Sequence, residues 1–536
     1  MIVSLILTWV LLIGLGGIGL LLLRAAWKRP PQAESLPESL KGTNVGLRLA
    51  LGVFVVICLA VIGFHTYWAL IAPRSNPQYS TLKDARDQRL RRQTEASLRG
   101  WVFDRSRLPE KALCRYKLVG GRVYREYPLG SSAAHLLGYT SFVRGDSGIE
   151  RAFEKKLTEP AKLINSLLST APVGSDLMLS LDADLQRTAG DLLKGARGAI
   201  VVIRPQTGEI LALASSPGFD PTDVNNEAAW QKLISDTDGQ PFLNRALNNY
   251  YLPGSTFKTI VAAAALESGL EHQRFTCTGS GYTPPASGRP IKDDKNEVHG
   301  SVDLAKAFEV SCNQYFAQMG IELGYGRLGD VARRFGFHID DSPESARQSR
   351  TVDRLWNSDG SELDKSFGVV ESRMVLSPRV TAYDIGLQSI GQGFDQATVL
   401  QMALVVAAVS RPDGMRLAPA LEAERQVKLL GPALNPSAAK ALQPLMRSVV
   451  ERGTASRAFR GCRIPAAGKT GTAQVAIRGG RDIRIDAWFI GFAPYDNPKI
   501  AFAVVVEGGG YGGEKAAPIA RALIEQADRS GLFNLR

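Results

Sequence analysis

The sequence predicts an α+β fold, an antiparallel sheet flanked by helices, behind a small N-terminal module and two N-terminal transmembrane helices. Three observations carry this expectation. Two long apolar runs open the chain. Two β-rich hairpin patterns lie far apart, at 198–215 and 486–507. The segments between them carry helical apolar spacing, without the strand, Gly-rich loop and helix alternation of a dinucleotide-binding fold.

The elements follow in order. Ile2–Leu23 is uncharged and apolar, and Leu49–Ala72 is a second such run, each long enough to span a membrane. Between them Arg24, Lys28, Arg29, Lys41 and Arg48 outweigh Glu34 and Glu38, which holds loop 24–48 in the cytoplasm. Tyr67 and Trp68 fall where an outer aromatic belt sits. Everything after Pro73 then faces outward. A cleaved signal peptide is disfavoured, because no basic stretch precedes the first run and no small-residue cleavage site follows it.

The formal charge of +12 fits a surface beside anionic lipid. Zinc-finger spacing, RNP-like stretches and recognition-helix signatures are missing, so nucleic acid is not an expected partner. Hydrophobic content of 45% with 22% charged residues makes the remainder globular.

Residues 73–98 read as a basic, solvated juxtamembrane helix or linker, and 99–180 as a short irregular module. Leu181–Leu193 has helical spacing, and 198–215 forms a hairpin around Pro205–Gly208. A buried helix is expected at 256–268, and a helix, break and second helix at 299–320. Residues 341–375 read as a polar loop and Leu400–Ser410 as an apolar helix. The second hairpin turns at Tyr495–Pro498, and a helix over 516–526 closes the chain. The domain expectation is 1–72 transmembrane hairpin, 73–180 linker and N-terminal module, and 181–536 catalytic domain.

Of five cysteines, Cys58 lies in the second run. Cys114, Cys277, Cys312 and Cys462 fall outside the membrane, where disulfides persist; their pairing stays open. The five histidines are scattered, and no spacing suggests a metal site or a cofactor.

The chemistry gathers in three short stretches. In "YLPGSTFK", Ser255 begins a helix with Lys258 three residues on, along the same face. Partial burial lowers a lysine pKa, and a neutral amine can take the hydroxyl proton. This is nucleophilic serine catalysis without histidine. Alone, such a serine is more often a helix cap. In "VSCNQYF", Ser311 and Asn313 sit in a turn between helices: a second hydroxyl to relay a proton, and an amide to grip a peptide carbonyl. The bland alternative is a helix break with polar turn residues. In "AAGKTGTAQ", Lys469, Thr470, Gly471 and Thr472 suit an edge strand that pairs with an extended peptide, the cation and hydroxyls attracting a carboxylate. Otherwise this is a glycine-rich turn.

Ser-x-x-Lys, Ser-x-Asn and Lys-Thr-Gly in this order resemble the penicillin-binding proteins, specifically the class B high-molecular-weight peptidoglycan D,D-transpeptidases. "RGWVFDR" (99–105), "YPLGSSAAHLLGY" (127–139) and "SGIE" (147–150) resemble that family's N-terminal module. "HGSVDLAKAFEVSCN", "SIGQG" (389–393) and "AWFIGFAP" resemble its catalytic domain. The resemblance implies the penicillin-binding transpeptidase fold and a bacterial cytoplasmic membrane location with the catalytic domain on the outer face. It implies peptidoglycan stem peptides as substrates, β-lactam antibiotics as trapping ligands and a SEDS-type glycan polymerase as partner. Ser255 is then the nucleophile, Lys258 the base and Ser311 the proton shuttle. Asn313 orients the peptide. Lys469, Thr470 and Thr472 hold the terminal carboxylate, on a strand that Gly471 keeps open to a close approach. The chain departs from the family in having two apolar runs where one is usual, and in its short N-terminal module.

Other classes are a β-lactamase, a membrane-anchored β-lactam sensor, a D,D-carboxypeptidase and a non-enzymatic wall scaffold. The class A β-lactamase glutamate has no counterpart by motif. The small cytoplasmic loop leaves a sensor little to signal with. A scaffold would not need both Ser255 and Lys258.

Overall fold

The computed structural model describes residues 52–55, 59–63, 99–119, 122–158, 174–348, 367–476 and 483–534. The chain divides into two compact units, residues 1–93 and 94–536. In the first, 52–55 and 59–63 are helical. The expected span 2–23 lies outside the described residues, as does the larger part of 49–72. Among the described residues no helix is long and apolar enough to cross a membrane.

The second unit opens with β1 (Val102–Phe103), β2 (Arg115–Val119), β3 (Arg122–Glu126) and β4 (Leu177–Met178). β1 runs parallel to β4, and β2 and β3 form a hairpin. Two stretches singled out from the sequence meet here. Glu150 of "SGIE" is fully buried between Arg99 of "RGWVFDR" (3.0 Å) and Arg125 (2.6 Å). Asp104 of the first stretch accepts from the backbone N–H of Ala183 at 3.3 Å and so holds the start of the next helix. Removing one partner of a buried ion pair leaves the other charge uncompensated. Glu150→Ala is therefore expected to destabilise this module by about 3–5 kcal/mol. Denaturant unfolding of the variant checks this, and an unchanged midpoint would refute it.

The rest of the second unit is built on α1 (Ala183–Leu192), β5 (Gly198–Ile203), β6 (Ile210–Ser216), α2 (Lys258–Glu267), α3 (Leu304–Val310), α4 (Asn313–Phe335), α5 (Val399–Ser410), α6 (Pro436–Glu451), β7 (Ala467–Ala476), β8 (Ile483–Ala493), β9 (Ile500–Val506) and α7 (Ala516–Arg529). Five strands form one antiparallel sheet in the order β7-β8-β9-β5-β6. Both expected hairpins are present. The first of them docks beside the last, with Val201 opposite Ala503. Every residue of β9 is buried, so both faces of the sheet are covered. α1 and α7 pack on one side, and α5 with α6 on the other. α5 is buried at all 12 positions, as expected of a helix apolar all round. Thr398 caps its start by accepting from the Gln401 N–H at 3.0 Å.

Within 341–375 the expected loop is only part of what forms. A short helix covers Pro343–Gln348, and strand Arg373–Val375 pairs with His338–Asp340. Local composition there is polar, and the pairing is supplied by a distant strand.

Candidate active site

The expected helix start at Ser255 forms in two pieces. Gly254–Phe257 is a single 3₁₀ turn that runs into α2. In a 3₁₀ turn side chains at i and i+3 eclipse, which aligns Ser255 with Lys258 more closely than an α-helix would. Gly254 has φ of 53°, and a Cβ there would lie 2.6 Å from the Thr472 carbonyl oxygen, so only glycine lets the turn press against β7. Gly471 answers from the strand: a Cβ on it would sit 2.7 Å from the Thr256 methyl. Trp488 of β8 donates to the Leu252 carbonyl at 3.1 Å, and the Gly254 N–H donates to Gly391 of "SIGQG" at 2.9 Å. The Ser255 turn is thus tied to the sheet and to the "SIGQG" loop.

Ser311 lies between α3 and α4 with φ of 63° and ψ of 38°, a left-handed conformation uncommon for serine. That single residue turns the chain so that Ser311 and Asn313 both face α2. The Lys258 amine donates to the Ser311 carbonyl (2.6 Å), the Ser311 hydroxyl (3.2 Å) and the Asn313 side-chain oxygen (2.7 Å). Lys469 reaches the same Ser311 hydroxyl at 2.8 Å. Four of the eight expected site residues are therefore joined through their side chains into one hydrogen-bonded cluster. Ser255 stands one turn from Lys258, half-buried, and its hydroxyl makes no side-chain hydrogen bond with any described residue. The expected contact between Lys258 and Ser255 is thus replaced here by the bonds to Ser311 and Asn313. These three acceptors match the three N–H bonds of the charged amine, whereas the neutral amine donates only two and keeps a lone pair for a proton.

Both lysines are fully buried. Burial lowers Lys258 to about 8, against the opposing pull of Asp293. Burial also takes Lys469 well below the ordinary lysine value, and the neighbouring Lys258 pushes it further down. Two amines converging on one hydroxyl cannot both carry charge cheaply, so the site holds an amine able to accept a proton. A ligand carboxylate would restore the missing counter-charge.

β7 is the sheet's edge strand, as expected, pairing only with β8, with Lys469 opposite Ile490 and Thr472 opposite Ala487. Thr470 is buried and shares a 2.5 Å hydrogen bond with Thr454, whereas Thr472 remains accessible. An edge strand offers backbone groups to an extended peptide.

One cluster escaped the sequence reading. Cys277, Asp293, His299 and Cys312 bring four ligand-type atoms within 4.8 Å of one another directly behind Ser311 and Asn313. Cys277 Sγ lies 2.8 Å from an Asp293 oxygen and 3.4 Å from His299 Nδ1, and the two sulfurs are 3.0 Å apart. Two thiols, an imidazole and a carboxylate are a donor set that could hold a zinc-like ion. All four described cysteines are free thiols. Asp293 also accepts the backbone N–H of Asn313 and, at 2.9 Å, the Gln314 side-chain amide. The spacing gave no warning, because the four ligands come from the end of strand Phe275–Cys277, the segment that follows it, and the turn between α3 and α4.

A serine on a helix start, backed by buried amines and facing a sheet edge that can bind a peptide, defines a serine acyl-transferase. Residues 198–525 match the penicillin binding protein transpeptidase domain, and the chain belongs to that family, as a class B member. It is 33% identical over 453 residues to the peptidoglycan D,D-transpeptidase PbpA of Mycolicibacterium smegmatis, covering 76% of this chain and 85% of the relative. It is 31% identical over 474 residues to the peptidoglycan D,D-transpeptidase MrdA of Acinetobacter baumannii, covering 77% and 67%. Among solved structures, the penicillin G acyl-enzyme complex of penicillin-binding protein A from M. tuberculosis matches with a TM-score of 0.67 at 28% identity, covering 80% of this chain and 99% of that one.

Proposed function

We infer that the protein is a peptidoglycan D,D-transpeptidase that cross-links stem peptides through an acyl-enzyme on Ser255 and is trapped there by β-lactams. The observation that carries this is the convergence of Lys258 and Lys469 on the Ser311 hydroxyl, beside Ser255 and the free edge of β7.

The Ser255 oxygen attacks the carbonyl carbon of the penultimate D-alanine, and neutral Lys258 takes the hydroxyl proton. The backbone N–H groups of Ser255 and Thr472 hold the oxyanion, each such donor contributing about 3–4 kcal/mol. Collapse of the tetrahedral adduct breaks the peptide bond. The departing D-alanine nitrogen receives a proton through Ser311, which links the two amines. Asn313 orients the donor chain, and Lys469, Thr470 and Thr472 bind its terminal carboxylate. Gly471 keeps that strand open to close approach. An amine from a second stem peptide then attacks the ester carbonyl, forms the cross-link and returns the proton to Ser255.

In this reading the runs 2–23 and 49–72 anchor the chain in the bacterial cytoplasmic membrane with residues 181–536 on the outer face. The short module at 73–180 is the docking surface for a SEDS-type glycan polymerase. The basic loop 24–48 and the aromatic pair Tyr67–Trp68 support that orientation.

The test is incubation with a donor stem peptide, with and without an acceptor amine. Release of D-alanine with formation of a cross-linked product is expected when acceptor is present. Hydrolysis alone, unaffected by acceptor, would make the protein a carboxypeptidase instead.

A further inference from the structure

The segment Lys292–Asn296 belongs to none of the three motifs, yet it reaches across the site. At its near end, the Asn313 side-chain amide donates to the Lys292 carbonyl at 3.0 Å, and the Asn313 N–H donates to Asp293. At its far end, the Lys295 amine lies 4.9 Å from the centre of the Tyr511 ring. Asp294 sits against the same phenol and raises its pKa. Tyr511 leads into Gly512, where any side chain would collide with the carbonyl oxygens of Gly471 and Trp488.

The contacts therefore close a ring: Asn313, Lys292–Lys295, Tyr511, Gly512, Gly471 of β7, then Lys469 and Ser311 back to Asn313. A peptide paired along the edge of β7 beside Asn313 would lie next to this ring of contacts. The roof of the ring is held weakly. Asp294, Lys295 and Asn296 are exposed, and an exposed cation–π contact is worth about 0.5–1 kcal/mol. Lys295 and Asn296 stand consecutively at φ of 50° and 56°, a left-handed pair without glycine. Such conformations are costly and persist where surroundings hold them.

We propose that Asp294, Lys295 and Tyr511 form a clasp over the peptide groove and act as specificity determinants: a donor stem peptide must part them to lie along β7, whereas a compact β-lactam reaches Ser255 beneath them. This rests on the transpeptidase reading. A bicyclic β-lactam carries its reactive amide and its carboxylate in one small unit. A stem peptide extends several residues further and needs the groove open.

The experiment uses the full-length protein in detergent, with Lys295→Cys and Tyr511→Cys in a Cys58→Ser, Cys462→Ser background. The two new thiols are joined by a short bis-maleimide. D-Alanine release from a donor stem peptide and labelling by a fluorescent penicillin are measured before and after bridging. Bridging is expected to slow peptide turnover by about tenfold or more, in proportion to the open fraction removed, while penicillin labelling keeps its rate. Unchanged peptide turnover overturns the proposal. So does equal loss of both activities, because the bridge would then act on the Ser255 centre and not on access. Failure of the thiols to be bridged also overturns it, since the residues would not be neighbours. If the unbridged protein labels with penicillin but never releases D-alanine, the transpeptidase reading has failed rather than the clasp.

Discussion

Ser255→Ala is expected to fold as the parent does and to take no covalent label from a penicillin. The Ser255 hydroxyl makes no side-chain hydrogen bond with a described residue, so its removal orphans no buried partner, and stability should stay within about 0.5 kcal/mol. The chemistry has no such reserve. Deleting the nucleophile of a serine enzyme removes roughly 10⁶-fold of rate. Of the neighbouring hydroxyls, Ser311 is bonded to the two lysines and Thr470 to Thr454, and the accessible Thr472 hydroxyl has no lysine partner among the described residues. The measurement is gel fluorescence with a labelled penicillin, beside a thermal melt. A persistent adduct in the folded variant would place the nucleophile elsewhere. In the parent protein, an adduct released within seconds would point to a β-lactamase.

Lys258→Ala is expected to lower the acylation rate of Ser255 by about 10²–10⁴-fold, the range typical of a lost general base. The sign of the pH dependence follows from burial. With Lys258 lowered to about 8, roughly a tenth of the amine is neutral at pH 7, against a few parts in ten thousand for a free lysine. Only the neutral form accepts a proton. Acylation in the parent should therefore climb as pH rises towards about 8 and level off above it. The variant should lose that limb as well as the rate. Stopped-flow acylation across pH checks both. An alanine variant that acylates at the parental rate, or keeps the same pH limb, would remove Lys258 from the role of base. The substitution also strips a donor from the Ser311 carbonyl and from Asn313, so a melt must accompany the kinetics.

Much of the site was readable because its signals are local. Ser255 and Lys258 are three residues apart on one turn, and Ser311 and Asn313 flank one helix break. Lys469–Thr472 occupy one strand with hydrogen-bonding neighbours on one side only. The hairpins at 198–215 and 486–507 were legible for the same reason, since alternation and turn residues are short-range. Less legible was the partner of Lys258. Spacing alone pairs it with Ser255, but its amine binds Ser311 and Asn313, which arrive from more than 50 residues away. The cluster of Cys277, Asp293, His299 and Cys312 left no sequence signal, nor did the contact of Lys295 with Tyr511.

By itself, then, the chain order of residues determined the chemical parts: a hydroxyl with a lysine beside it, a turn with serine and asparagine, a cationic edge strand, and apolar segments of defined period. The tertiary structure alone decided how those parts meet. It docked the first hairpin against the last, so that β7 became an exposed edge, and it buried two amines against one hydroxyl. The physical reason is that side-chain periodicity reports which face of an element is apolar. The mutual approach of distant elements depends on packing, backbone close contacts such as Gly254 on Thr472, and desolvation, none of which a local pattern contains.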